Sequence, residues 1–411
     1  GYYMRWTRLI VAIIALAVLG LIGFKIYEYF SKSPVTISTG NKEAEVFILE
    51  QHVYDESTQK SIGKGEKVGA RLKNGDYSFL IRTDNSETLA HLSIPKKDSY
   101  SLEVDLIEFQ QPKLQASQTA YSPISSGKYI RYVNQPLRQI YELRKGDSIG
   151  YPVYLGEDIV NVWWFDSKNA ILELSSGELA VLVNDEISGI GFSPERDVDG
   201  EYQSYGASYV KISGNWGLIA YSDRYYVIKK ASSTPRWTLE AESFHSATID
   251  SKGNVYTYPS LDDLFIHERP DIDKFRLVRY SGKNYGISRS VDLSHVSDVI
   301  ISPSGKTALV KNLDGLSLLD LNSSKSTFVS LVTSFEIKDA IWSGNYIYTR
   351  TKEGMWRIDT KNNRVDLLVR SAEPITHDRS FSLTPKSLLF GTTDPPEYFS
   401  NGSLYSIPLS E

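Results

Sequence analysis

The chain has 411 residues, with 45 Lys and Arg against 50 Asp and Glu, a formal charge of −5 and no cysteine. That length leaves room for more than one core, and the missing thiols exclude disulfides, thiolate metal sites and cysteine nucleophiles. Charges of both signs are interspersed, which argues against nucleic acid as a partner, since such binders gather Lys and Arg into a patch.

Residues 9–24 are an unbroken run of Leu, Ile, Val, Ala, Gly and Phe. With their flanks they give roughly 20 residues, enough to cross a bilayer as a helix. Tyr2, Tyr3 and Trp6 stand at one end and Tyr27, Tyr29 and Phe30 at the other, where amphipathic rings favour the membrane interface. A cleaved signal peptide has a shorter apolar run that ends at a small-residue site. Here Ala15-Leu16-Ala17 lies inside the run and Gly23-Phe24-Lys25 fits poorly. The sequence therefore predicts a single transmembrane helix over residues 9–30, in contact with the lipid bilayer, after a short cytoplasmic N-terminus of residues 1–8. Arg5 and Arg8 precede the run, Lys25 and Lys32 follow it with Glu28 between them, and Met4 has the look of a natural start. The positive-inside tendency then puts the bulk of the chain outside the cell membrane.

A polar connector is expected over residues 31–34. Beyond it the pattern alternates: Val35-Thr36-Ile37, residues 44–49, residues 77–81 and residues 100–106, with a polar loop over 55–67. Period-2 strands bounded by Asn, Gly, Lys and Pro predict a small antiparallel β-sandwich over residues 35–107. Lys73-Asn74-Gly75-Asp76 reads as a hairpin turn ahead of Tyr77. Ala44-Glu45-Val46 and Leu72-Lys73-Asn74-Gly75-Asp76-Tyr77 resemble the Gly-Ala-x-Val strand and the Leu-x-Pro-Gly-x-Tyr turn of the PEGA domain, a β module of exported prokaryotic proteins. Asn41, Lys42 and Glu43 depart from its naming motif, and residues 50–67 replace its short loop. The resemblance implies a spacer or wall-proximal module.

From residue 108 to 411 a tight-turn motif recurs between apolar runs, clearest as Ser302-Pro303-Ser304-Gly305-Lys306. Pro presets φ and Gly accepts a positive φ at no steric cost. Comparable anchors stand near Ser122, Asp166, Ser213, Asp250, Ser343 and Thr384, close to the roughly 40–45-residue period of β-propeller blades. Seven anchors predict seven blades, each read as strand, Gly turn, strand, Gly turn and a strand ending in Asp. The repeats resemble the Ser-Pro-Asp-Gly-Lys strings of TolB-like and WD-repeat propellers, with Ser304 in place of the Asp. A strand within residues 113–121 is expected to pair into the final blade and close the ring.

Candidate chemistry is thin. Gly146-Asp147-Ser148-Ile149-Gly150 matches a nucleophile pattern, but the strand-like Tyr151-Pro152-Val153-Tyr154 follows where a helix is needed. His295 and His377 recur at the same distance before their anchors, which reads as structural. Asp262, Asp263, His267, Glu268, Asp271 and Asp273 match no calcium loop. Trp163, Trp164, Trp216, Trp237, Trp342 and Trp356 could stack sugars, though most fall in strand patterns. Residues 194–206 and 259–273 interrupt the blade period, and long loops on a rigid scaffold are favoured recognition surfaces.

The resulting expectation is an all-β chain with one N-terminal transmembrane helix. It joins a PEGA-like sandwich to a seven-bladed propeller, with no catalytic, cofactor or metal residues assigned. Its expected role is a non-catalytic envelope scaffold that binds an envelope protein or cell-surface glycan. The alternative is a lyase or hydrolase acting on surface glycans or peptides through the channel.

Overall fold

The computed structural model describes residues 2–50, 58–116, 120–134, 136–154, 156–190, 209–221, 223–242, 245–260, 275–282, 284–291, 296–312, 315–330, 335–351, 354–370, 381–392 and 403–409. Contacts divide them into two compact units, one within Gly1–Glu50 and Ser57–Ile107 and the other within Glu108–Glu411.

The first unit opens on helix α1, Tyr2–Ser31. Within it Leu9–Ser31 is long and apolar enough to cross a membrane, and none of that stretch is buried. Glu28 accepts ion pairs from Lys25 and Lys32 at 3.7 and 3.1 Å. The expected connector almost vanishes, since the helix runs to Ser31 and strand β1, Ser33–Ser38, begins two residues later.

Six more strands complete a sandwich: β2 (Ala44–Glu50), β3 (Thr58–Gly65), β4 (Lys67–Leu72), β5 (Gly75–Arg82), β6 (Glu87–Ile94) and β7 (Tyr100–Glu103). One sheet has the order β4-β1-β7, and the other places β6, β5, β2 and β3 side by side. Val35 and Ile37 of the first sheet and Val46, Phe79 and Ile81 of the second meet in one core. Three expectations are corrected. The sandwich is not wholly antiparallel, because β1 runs parallel to β7. The polar stretch before Lys67 is a strand, β3, paired along β2. The turn at Lys73 and Asn74 crosses from one sheet to the other instead of closing a hairpin, since β4 pairs with β1 while β5 pairs with β2 and β6. The Tyr77 hydroxyl donates to the Lys73 carbonyl at 2.9 Å and fastens that crossing.

The second unit is a seven-bladed propeller, built from seven consecutive groups of four hydrogen-bonded strands. The innermost strands are Ala120–Ser125, Ile159–Asp166, Tyr209–Ser213, His245–Ile249, Val296–Ile301, Ile341–Ser343 and Phe381–Leu383. Alternate residues of a strand pack against opposite neighbours. Leu172 joins the core shared with blade 1, while Ile171 joins the core shared with blade 3. Both faces are apolar, so the strands read as continuous hydrophobic runs, as buried strands do. Each blade carries a fourth, outer strand that the three-strand reading omitted. Some of these, such as Tyr151–Pro152 and Pro235–Glu240, are exposed and lack the apolar signal, whereas that of blade 6, Arg364–Arg370, is mostly buried.

The ring closes as expected: Lys113–Ala116 pairs antiparallel with Leu404–Pro408 as the outer strand of blade 7. Gln115 Nε2 donates to Ser406 Oγ at 2.8 Å across the seam. Six of the seven anchors sit where an innermost strand ends. Ser122 instead marks a bulge within its strand, at φ 49°, and blade 1 turns later, at Gly127. In the turn at Ser302 the Gly305 amide donates to the Ser302 carbonyl at 2.9 Å, and the Thr307 amide donates to its hydroxyl at 3.1 Å.

Two predictions follow from this packing. Gly253 turns at φ +85°, and a Cβ there would lie 2.6 Å from the Trp216 ring. Left-handed backbone costs an L-residue about 1–2 kcal/mol and overpacking about 1–3 kcal/mol more. Gly253→Ala should therefore lose about 2–5 kcal/mol in denaturant unfolding. Gly127→Ala, at φ +84° with open space around it, should lose only the backbone share; equal losses would refute the steric assignment.

The second concerns His91 on β6, whose side chain is 8% exposed and whose Nε2 lies 3.5 Å from Asp76 Oδ1. Burial holds its pKa below the usual histidine value, against the pull of Asp76. The folded imidazole thus binds fewer protons than the unfolded one. Stability is complete above the unfolded value of about 6.5 and falls as pH drops through that value towards the folded one. The sandwich transition should weaken on acidification over that window, and His91→Gln should flatten the slope.

Candidate functional site

Because six of the seven anchors end an innermost strand, the residues beside them converge at one end of the central channel. Between blades 3 and 6 they enclose a cavity of about 290 Å³. Blade 3 contributes Lys211 and Ser213, blade 4 Thr248 and Ser251, blade 5 Ile301 and Pro303. The approach to blade 6 adds Lys338 and Trp342. The Ser251 hydroxyl donates to the Pro303 carbonyl at 2.5 Å and ties two of these turns together.

A charged cluster supports this wall from behind. Lys211 Nζ donates to Asp298 Oδ1 at 3.0 Å, with the two side chains 8% and 16% exposed. The Tyr258 hydroxyl donates to the same oxygen at 3.2 Å, and the Val299 amide donates to it at 2.8 Å. A register shift between Val296 and Asp298 sets that carboxylate apart from the regular ladder. Tyr209 accepts from the Ala247 amide at 2.6 Å, and its ring lies 5.4 Å from Lys211 Nζ and 5.9 Å from Lys338 Nζ. Burial, before any other cause, raises the pKa of Tyr209 and of Tyr258; it pushes Tyr225 up to about 12. These phenols stay protonated at neutral pH; Tyr258 and Tyr225 donate, to Asp298 and to the His245 carbonyl, and none is poised as a base.

The residues singled out from sequence do not assemble here, Trp342 excepted. Ser148 sits exposed in the turn before the outer strand of blade 1, with no helix after it. Trp163, Trp164, Trp216 and Trp237 pack against three inter-blade cores. Trp356 is buried edge-on to Phe335 at 5.3 Å. His295, His377, the acidic cluster from Asp262 to Asp273 and residues 194–206 lie outside the described residues. Among the described residues, no group of three or more His, Asp or Glu side chains could hold a metal ion. Lys211, Thr248 and Lys338 were not anticipated. The available signal was the anchor spacing itself, which requires the flanking positions to share one rim.

Other buried charges belong to the frame. Arg131 Nη2 meets Glu142 Oε2 at 3.1 Å within blade 1, and Nη1 reaches Asp185 of blade 2 at 2.5 Å. Asp366 holds Arg357 and Arg364 at 3.5 and 3.1 Å within blade 6.

No protein-family model and no curated protein matches the sequence. Among solved structures, the chain is similar to the extracellular domain of the hybrid two-component system BT3049 from B. thetaiotaomicron, at 12% identity and TM-score 0.45, over 71% of this chain and 40% of that one. The extracellular domain of system BT4673 from the same organism gives 11% and 0.46, over 88% and 57%. A streptogramin B lyase gives 9% and 0.44, over 73% and 96%. The chain thus spans about half the length of the two extracellular domains. At these values nothing is transferred from them, and the propeller stands on its own strand pairings.

Removing one partner of a buried ion pair costs about 3–5 kcal/mol, because the other charge is left uncompensated. Lys211→Met should therefore destabilise the propeller by about that amount. Adding Asp298→Leu should restore part of the loss, as read by denaturant midpoints. A double variant no more stable than Lys211→Met would show that the pair carries no such coupling.

Proposed function

We propose that the chain is a membrane-anchored envelope protein whose propeller lies outside the membrane and acts as a non-catalytic scaffold for an envelope protein or a cell-surface glycan. The observation that carries this reading is the character of the channel-mouth cavity. Its wall offers lysines, hydroxyls, aliphatic groups and a tryptophan, with no histidine or carboxylate among the described residues that line it. Such a wall binds and orients, whereas hydrolysis or elimination needs a positioned acid–base pair.

Helix α1 is the anchor in this reading, with Arg5 and Arg8 on the cytoplasmic side. The sandwich, through its PEGA-like segments, serves as stalk. Confinement to a surface raises the effective concentration of the propeller for envelope partners.

The test is affinity capture of the detergent-solubilised full-length protein on glycan arrays and from native membranes, against an anchor-only control. The expected result is a stoichiometric envelope protein or glycan, recovered chemically unaltered and dependent on residues beyond Ile107. Recovery of a cleaved glycan or peptide would overturn the scaffold reading in favour of a lyase or hydrolase.

A further inference from the structure

Charge around the channel mouth is unevenly matched. Lys211 is neutralised by Asp298. Asp339, the neighbour of Lys338, is committed to Arg350 at 3.2 Å, both side chains being 4% exposed. Lys338 itself is exposed and makes no ion pair among the described residues. The cavity therefore carries about one net positive charge, and Lys338 is its source.

A second, independent feature lies deeper. Thr248 lines the same cavity and is 2% exposed, yet its hydroxyl has no hydrogen-bond partner among the described residues. A cavity-lining hydroxyl of this kind can both donate to and accept from a ligand oxygen. Trp342 supplies the third element. Its Nε1 donates to the Gly344 carbonyl at 3.2 Å, which fixes the indole, and its half-buried ring lines the cavity.

We propose that the channel mouth binds a carboxylated sugar residue, its carboxylate on Lys338, a ring hydroxyl on Thr248 and its C–H face against Trp342. This deepens the glycan arm of the proposed function and rests on it. A single cation that has an aromatic neighbour, Tyr209, but no ion-pair partner among the described residues matches a monoanionic carboxylate better than a dianionic phosphate. Hydroxyls and an aromatic face match a sugar ring better than an aliphatic acid. The cavity of about 290 Å³ is close to the lower bound for small-ligand pockets.

The test is calorimetric titration of the full-length protein in detergent with methyl glucuronide, methyl glucoside and acetate. Glucuronide should bind about tenfold more tightly than either of the others, a difference of about 1.4 kcal/mol. Raising the salt from about 0.05 M to about 0.5 M should weaken it. Lys338→Gln should lose about tenfold, Lys338→Arg should keep most of the affinity, and Thr248→Val should weaken binding without abolishing the salt dependence. Unchanged glucuronide affinity in Lys338→Gln, acetate binding as tightly as glucuronide, or no glucuronide binding at all would each overturn the assignment. If neutral glycans or an envelope protein still bind the propeller in that case, the scaffold reading survives and only the carboxylate site falls.

Discussion

A sheet that is apolar on both faces must have a neighbour on each side, and a row of such sheets satisfies that demand only by closing on itself. Everything in the propeller depends on this closure. It rests on the four-residue strand Lys113–Ala116, which completes blade 7 and carries the chain directly into blade 1. Ala116 and Leu404 on one side and Ala120, Tyr132, Tyr141 and Leu143 on the other form the core of the seam. The backbones approach so closely there that a Cβ on Gly391 would stand 2.2 Å from the Ala120 carbonyl. Glycine is the residue that permits the contact.

Closure also places the candidate site. Innermost strands converge on the channel, and their ends bring together Lys211, Thr248, Pro303 and Trp342 from four blades. No single blade holds enough polar surface to make a site. The Lys211–Asp298 pair links blade 3 to blade 5, and buried pairs of this kind fix geometry more surely than they add stability. The cavity is held open by the same contacts that hold the ring together.

What could be read from sequence divides along the line between local and distant interactions. The turn at Ser302 was legible because its determinants, Pro303, Gly305 and the Ser302 hydroxyl, lie within five residues and recur. Asp250 likewise caps its own turn, accepting from the Lys252 and Asn254 amides at 2.9 Å each. Closure was legible because a ring of blades must leave no open sheet edge, which calls for a strand from before the first blade to complete the last. The parallel pairing of β1 with β7 was not, since the whole sandwich intervenes between them. Strand β3, with the sequence Thr-Gln-Lys-Ser-Ile-Gly-Lys-Gly, has the composition of a loop and is held as a strand by β2. The cavity was least legible of all, because Lys211 and Lys338 meet only when the blades are arranged in space.

The seam joins partners far apart in the chain, Gln115 and Ser406 being 291 positions apart. A polypeptide emerging vectorially exposes the apolar flank of blade 1 long before Leu404–Pro408 exists to help cover it. Non-local pairing of this kind folds slowly, and uncovered strand edges in the interval invite association with other chains. The architecture that gives the finished ring its rigidity therefore makes its biogenesis dependent on whatever shields the first blade until the last arrives.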